Sequence, residues 1–147
     1  MKILIVEDER TYRDSVSEYL EAAGHEVDIA GTYHRGIERI RENKYDCVLL
    51  DVGLPDGSGI QLVKELKSNQ PTSGIIIISA KNSIEDKVSG LDMGADDYMT
   101  KPFHLSELNS RINSLMRRRN FDGKNQIIHE DLVINTDEKQ VTIKGQV

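Results

Sequence analysis

Short apolar runs alternate with amphipathic segments along most of this 147-residue chain. Four of these runs, at 2–6, 26–30, 46–50 and 74–79, contain isoleucine, leucine or valine, and a fifth at 97–100 is a weaker strand signal. The segments between and after them place apolar residues at helical spacing, at 11–24, 32–43, 59–69, 83–94 and 104–118. Because strands that alternate with helices form parallel sheets through right-handed crossovers, this pattern predicts an α/β doubly wound fold.

The composition is that of an ordinary globular protein, with 37% hydrophobic and 30% charged residues. A formal net charge of −6 argues against binding of nucleic acid through bulk positive charge. The single cysteine, Cys47, lies inside an apolar run, which favours a reducing, cytoplasmic compartment over a disulfide framework. The apolar runs are far shorter than the roughly 20 residues that span a bilayer, so we expect no membrane association.

The pattern changes after residue 119. A polar segment containing glycine covers 120–125, and two short alternating runs at 132–134 and 141–143 flank a turn signal. The remaining stretch is too short for a core of its own. We therefore expect one domain over 1–119, a linker over 120–125, and the opening strands of a truncated second domain over 126–147.

Polar side chains follow the predicted strands at the point where each strand ends. Glu7 and Asp8 follow the first strand, and Asp51 follows the third. Ser79 ends the fourth strand, and Lys101 follows the fifth. Because ligands of an open parallel sheet bind outside the carboxyl ends of its strands, we expect these side chains to form one site.

The chemistry of this set points to phosphoryl transfer assisted by a metal. Three clustered carboxylates repel one another unless a cation lies between them, and hard oxygen ligands suit magnesium. A carboxylate in such a site can attack phosphorus and form an aspartyl phosphate. Lys101 would then stabilise charge on the transferring oxygens, which makes Asp51 the candidate nucleophile.

Each residue also has an ordinary structural interpretation. Asp51 before a glycine-rich turn could be a cap, and Glu7 and Asp8 could favour the start of the next helix. Ser79 could simply end its strand, and Lys101 could be solvated. The coincidence of four strand ends favours the functional interpretation over any of these alone.

Four motifs together resemble the receiver domain of two-component response regulators: "ILIVEDE", "VLLDVGLPDGSGI", "IIIISAK" and "GADDYMTKPF". The resemblance covers residues 1 to about 119. The stretch "GLDMGADDYMTKPFHLSELNSRINSLMRR" is similar to the OmpR-type subfamily, and the trailing runs are similar to the opening strands of its winged-helix DNA-binding domain. The resemblance implies a flavodoxin-like receiver with five parallel strands in the order 2-1-3-4-5.

The resemblance also implies a function and a metal site. A sensor histidine kinase would phosphorylate Asp51, and slow loss of the phosphoryl group would follow without turnover of a separate substrate. Asp8, Asp51 and the main-chain carbonyl of Gly53 would ligate Mg²⁺, with Glu7 acting through water. DNA binding and control of transcription would require the C-terminal domain.

Further residues would bind the phosphoryl group and transmit the signal. Lys101 would pair with the phosphoryl oxygens, in a cis peptide bond with Pro102. Ser79 would turn its hydroxyl towards the same oxygens, and Tyr98 would rotate inward behind it.

The resemblance implies a homodimer of the phosphorylated protein through helix four, strand five and helix five. Charge pairs across the two-fold axis would join Lys87 with Glu107 and Asp97 with Arg111. An apolar patch would comprise Val88, Leu91 and Leu108.

Two other functions are compatible with parts of the pattern. A phosphatase with an aspartyl nucleophile usually carries a second acid two residues later, and Gly53 at that position argues against it. A constitutive interaction domain with a degenerate acidic pocket would lack part of the site, yet the acids, the hydroxyl and the lysine are all present.

Overall fold

The computed structural model describes residues 1–52, 59–81 and 84–131. Strands and helices alternate through this part of the chain. In chain order the elements are β1 (Lys2–Val6), α1 (Arg10–Ala22), β2 (Glu26–Ala30), α2 (Tyr33–Glu42), β3 (Cys47–Asp51), α3 (Gly59–Asn69), β4 (Gly74–Ser79), α4 (Ile84–Asp92), β5 (Asp97–Thr100) and α5 (Leu105–Asp131).

The five strands form one parallel sheet in the order β2-β1-β3-β4-β5. This confirms the predicted α/β fold and its strand order. The chain leaves β1 for β2 on one side and returns to β3 on the other, so the strand order reverses between β1 and β3. Their carboxyl ends therefore border the crevice in which open parallel sheets bind ligands.

Burial follows the position of each strand in the sheet. The inner strand β4 is buried along its whole length, as its uninterrupted apolar sequence predicts for a strand covered on both faces. The edge strand β2 instead exposes Glu26 and Ile29.

One layer of the core lies between the sheet and helices α2 and α3. Its strand residues alternate along β1 and β3, because side chains of a strand point to opposite faces in turn. The main members are Leu4, Val6, Ile37, Ile40, Val48, Leu50, Leu62, Val63, Leu66, Ile75 and Ile77. The alternate residues Ile5 and Leu49 line a small cavity together with Val16 of α1, so α1 covers the other face.

Helix α5 is longer than the sequence pattern predicts. It continues to Asp131, so the predicted linker at 120–125 is helical, as are residues 126–131. The segment contains one glycine and no proline, so its backbone carries no strong helix-ending signal. The predicted strand runs at 132–134 and 141–143 lie outside the described residues, and the division into domains remains a prediction.

The compact unit that carries the sheet comprises Met1–Ile112. None of the described helices combines the length and the apolar character that crossing a lipid bilayer requires.

Candidate functional site at the carboxyl edge of the sheet

The loop after β1 holds the first two predicted acids. The main-chain N–H of Glu7 donates to the carbonyl of Ala30 at 3.0 Å, which ties the end of β1 to the end of β2. The Glu7 carboxylate is buried and accepts the N–H of Glu9 at 3.0 Å. Asp8 is exposed. The loop therefore presents one carboxylate inward and one towards solvent.

Asp51 completes a cluster of three carboxylates. It is the last residue of β3, and its side chain is largely buried. Glu7, Asp8 and Asp51 each offer one oxygen, and these three atoms lie within 4.8 Å of one another. Such a cluster is consistent with a divalent metal site. Gly53, the fourth predicted metal ligand, lies outside the described residues.

Lys101 brings a positive charge into this cluster. Its Nζ lies 2.7 Å from Glu7 Oε1, 3.3 Å from Asp51 Oδ2 and 3.9 Å from Glu9 Oε1. The Lys101 N–H donates to the carbonyl of Ser79 at 2.8 Å, so the loop after β5 is attached to the end of β4. The Lys101–Pro102 peptide bond is cis, as the resemblance implies.

The charges of the cluster shift the pKa values of its members. Burial lowers the pKa of Lys101, but the hydrogen bond to Glu7 and the negative charges of Asp51 and Glu7 outweigh burial and raise that pKa above its ordinary value. Lys101 is therefore fully protonated at neutral pH. Burial raises the pKa of Glu7; the hydrogen bonds from Lys101 and from the N–H of Glu9 oppose this rise, and the charge of Asp51 adds to it.

Ser79 and Tyr98 both contact the segment that follows β4. Ser79 is buried, and its Oγ accepts the N–H of Lys81 at 3.1 Å. The Tyr98 hydroxyl donates to the carbonyl of Lys81 at 2.8 Å. The Tyr98 ring lies so close to α4 that a Cβ built on Gly90 would come within 2.8 Å of it. The two predicted switch residues thus meet at one residue, Lys81.

Three of the four charged residues of the predicted dimer face, Asp97, Glu107 and Arg111, already pair with one another within one chain. Arg111 pairs with Asp97 at 3.0 Å and with Glu107 at 3.1 Å. The sequence predicted the pair of Asp97 and Arg111 between two chains. In the structure it forms within one chain, because β5 and the first turns of α5 are neighbours.

The predicted apolar patch on the same face differs in one member. Val88 and Leu91 of α4 are 50% and 44% exposed, and Lys87 beside them is exposed. Leu108 is fully buried, so its place in an exposed patch is a wrong prediction. Its side chain belongs to the apolar side of α5 together with Ile112, four residues later.

Two aromatic residues near Lys101 were not identified from the sequence. The Lys101 ammonium lies 4.5 Å from the centroid of the Tyr12 ring, and this ring lies 5.8 Å from that of Phe103. Their closeness in sequence to the acids at 7–9 and to Lys101 was a usable signal. Helical periodicity does not identify Tyr12, because it indicates only which α1 residues face the core and not which of them lie beside the loop after β5.

The strand order is that of the flavodoxin-like folds, which bind their ligands at the switch point, where this chain has its carboxylate cluster. The family model of the response regulator receiver domain matches residues 3–113, and the chain belongs to this family. It is 43% identical over 145 residues to the response regulator ArlR of Staphylococcus saprophyticus subsp. saprophyticus, covering 99% of this chain and 64% of that protein. It is 39% identical over 146 residues to the cell cycle response regulator CtrA of Brucella anthropi, covering 99% of this chain and 63% of that protein. The chain thus spans less than two thirds of the length of these relatives.

Solved structures agree with this membership. A CheY-like receiver domain protein from Methanospirillum hungatei JF-1 superposes with a TM-score of 0.78 at 31% identity, covering 82% of this chain and 97% of that one. DrrB of Thermotoga maritima, described as an OmpR/PhoB homolog, gives a TM-score of 0.73 at 32% identity, covering 80% of this chain and 52% of that one. The match covers nearly all of the Methanospirillum receiver domain protein but only about half of DrrB, so the similarity lies in the receiver domain.

Membership of the family has three consequences. The chain carries the receiver domain of a two-component response regulator, and its homologues include OmpR/PhoB-type regulators. The family implies a phosphoacceptor function and a cognate histidine kinase as partner. A receiver is not a turnover enzyme, so the phosphatase alternative is set aside.

Proposed function

We propose that this protein is a phosphorylation-controlled switch in which Asp51 accepts a phosphoryl group from a histidine kinase. The observation that supports this most directly is the distance of 3.3 Å between Asp51 Oδ2 and the Lys101 ammonium, within a cluster of three carboxylates. A cation placed beside a nucleophilic carboxylate can stabilise the negative charge on the incoming phosphoryl oxygens.

The transfer is a displacement at phosphorus. A carboxylate oxygen of Asp51 forms the new O–P bond, and the P–N bond of the donor phosphohistidine breaks. The electron pair of that bond leaves with the imidazole nitrogen. Lys101 keeps its protons and donates hydrogen bonds to the phosphoryl oxygens, and the Ser79 hydroxyl donates a hydrogen bond to one of them.

The carboxylates suit Mg²⁺ in the roles that the family resemblance implies. Asp8 is exposed and so accessible to a hydrated cation, and Asp51 lies beside it. The oxygens of Glu7 already accept hydrogen bonds from Lys101 and from the N–H of Glu9, which favours a contact through water. The carbonyl of Gly53 would be the remaining protein ligand. Bound magnesium would neutralise charge on the transferring phosphoryl group.

Phosphorylation would act on the face formed by α4, β5 and α5. Ser79 would turn towards the phosphoryl oxygens and give up its contact with the N–H of Lys81, and Tyr98 bonds to the same residue. A local change at Asp51 would thus reach α4 through two side chains that share one segment. This face would control dimerisation and, where a C-terminal DNA-binding domain follows the receiver as the resemblance implies, transcription.

The test is the intact mass of the protein after incubation with acetyl phosphate and magnesium. Wild-type protein should gain about 80 Da, the mass of one phosphoryl group. Asp51→Asn should gain nothing, because an amide is a poor nucleophile. Asp46→Asn is the matched control: Asp46 precedes the same strand at its opposite end and accepts the N–H of Lys2, which an amide oxygen can also do.

Equal phosphorylation of wild-type and Asp51→Asn protein would contradict the assignment. Loss of phosphorylation in both variants would mean that folding, and not the nucleophile, was affected.

A further inference from the structure

The Lys101 ammonium contacts an aromatic ring as well as the acids. Tyr12, in the first turn of α1, places its ring centroid 4.5 Å from Lys101 Nζ. Glu7 and Asp51 approach the same atom at 2.7 and 3.3 Å. The Lys101 side chain is only 12% exposed, so the ring meets an ammonium that is largely removed from water. An aromatic face attracts a cation more strongly when water is excluded.

The Tyr12 ring is supported by the loop that carries Lys101. Phe103, two residues after Lys101, lies against Tyr12 with ring centroids 5.8 Å apart and planes inclined at 32°. Both rings also line the small cavity that borders Glu7 and Asp51. The two aromatic residues therefore connect α1 with the loop after β5 directly beside the candidate nucleophile.

The ring attracts the ammonium in a way that a metal ion does not displace. A lysine side chain is flexible, and holding it in one conformation costs entropy. The carboxylates of Glu7 and Asp51 hold Lys101 by charge, but a divalent cation at the cluster would compete for that charge. The quadrupole of the Tyr12 ring stays available when the carboxylates are neutralised.

We propose that Tyr12 is a positioning residue: its ring holds the Lys101 ammonium beside Asp51, in place for the phosphoryl oxygens. This inference rests on the proposed function, since it assumes that Lys101 binds the phosphoryl group. Tyr12 touches neither the nucleophile nor the donor in this role, and it acts only through Lys101.

Two substitutions separate the ring from the space that it fills. Tyr12→Phe keeps an aromatic face, whereas Tyr12→Met fills the gap with a flexible apolar chain. The matched control is Tyr19→Met. Tyr19 is also partly buried on α1, and seven residues place it about 10 Å further along the helix axis.

The first measurement uses the unphosphorylated protein. In protein labelled with ¹³C-lysine, the ε-methylene signal of Lys101, assigned by its loss in Lys101→Ala, should lie upfield of the other lysine signals because of the ring current. Tyr12→Phe and Tyr19→Met should keep this shift, and Tyr12→Met should abolish it. An unshifted Lys101 signal in wild-type protein would overturn the proposal.

The second measurement is the rate of Asp51 phosphorylation by acetyl phosphate at saturating magnesium. Tyr12→Met should be slower by about threefold to tenfold, with Tyr12→Phe restoring the rate. Should Tyr12→Met fail to fold by circular dichroism, Phe103→Leu, which removes the supporting ring, should reduce both the ring-current shift and the rate.

The two proposals fail in different ways. A wild-type rate in folded Tyr12→Met would overturn the role of Tyr12 and leave the proposed function intact. Absence of phosphorylation in wild-type protein would overturn the proposed function itself, whatever the lysine signal shows.

Discussion

Single polar side chains inside this fold keep defined partners, and Tyr45 shows how strongly one residue can depend on its partner. Tyr45 is 4% exposed, and its hydroxyl donates to Asp28 Oδ2 at 2.7 Å. Burial, followed by the hydrogen bond and the negative charge of Asp28, raises the pKa of Tyr45 well above its usual range. The folded protein therefore holds this phenol proton more tightly than the unfolded chain does.

We expect Tyr45→Phe to lower the free energy of unfolding by about 1–2 kcal/mol at pH 8, because Asp28 loses a hydrogen bond. The unfolded tyrosine ionises near pH 10, about its ordinary pKa. The contribution of Tyr45 is thus fully present below about pH 10 and is lost as the pH rises from there towards the raised folded-state pKa. Urea unfolding at about pH 8 and pH 10.5 should show the gap between wild type and variant becoming narrower. A gap that widens with pH would contradict this, and Tyr19→Phe serves as the control for a tyrosine that is only partly buried.

At the scale of the elements, a buried amide joins two helix ends to the strand between them. The Gln70 side chain, just after α3, donates to the carbonyls of Ile40 and Asn43 at the end of α2, both at 2.6 Å. Its Oε1 accepts the N–H of Tyr45 at 2.8 Å and the hydroxyl of Ser73 at 3.1 Å. These partners precede β3 and β4, so Gln70 closes the amino-terminal edge of the sheet, opposite the candidate site.

Gln70→Leu should lower the free energy of unfolding by about 3 kcal/mol or more, because buried backbone groups lose their partners and cannot reach water. Ser68→Ala, at an exposed position two residues before Gln70, should change the free energy of unfolding by less than about 0.5 kcal/mol. Urea unfolding measures both. Under conditions in which Gln70→Leu remains folded, its Asp51 phosphorylation rate should match wild type, since the substitution lies at the far edge. A small loss of stability together with a reduced phosphorylation rate would contradict this structural role of Gln70.

At the scale of the whole molecule, the exposed apolar residues of α4 point to an association surface. Ile84, Val88 and Leu91 are 80%, 50% and 44% exposed, and their spacing of four and three residues places them on one stripe. We propose that this stripe, with Lys87, Asp97, Glu107 and Arg111, forms the dimer face of the phosphorylated protein. Arg111 already pairs within the chain, so a pair with Asp97 of a second copy would need an exchange of partners at little net gain.

Beryllofluoride, which mimics a phosphoryl group on Asp51, should therefore convert monomer to dimer in sedimentation. Val88→Glu should weaken that dimer by about tenfold or more, because it buries a charge in the apolar stripe. Glu21→Lys, an exposed change on α1, should leave dimerisation unchanged. A mass that beryllofluoride does not alter, or a Val88→Glu dimer as tight as wild type, would count against this face.

The fold and the composition of the candidate site could be predicted from the sequence because both depend on local patterns. Apolar runs of strand length and helical periodicity specify which segments form elements, and alternation of the two specifies a parallel sheet. In a parallel sheet, residues at the carboxyl ends of the strands lie at one edge, so the sequence alone could group Glu7, Asp51 and Lys101. Helix α5 extends beyond the predicted end at residue 118 to Asp131. The sequence of this extension has no regular apolar periodicity that would predict a helix.

The pairings of individual side chains were decided only by the tertiary structure. The sequence contains Tyr12 and Lys101 but no periodicity that relates them, and they meet because α1 and the loop after β5 share the crevice. Likewise, the sequence places Leu108 in the apolar patch, whereas packing buries it inside the fold. Arg111 forms its ion pair with Asp97 of the same chain. Long side chains contact the groups that lie near them in space, and segments remote in sequence become neighbours only when the sheet has formed.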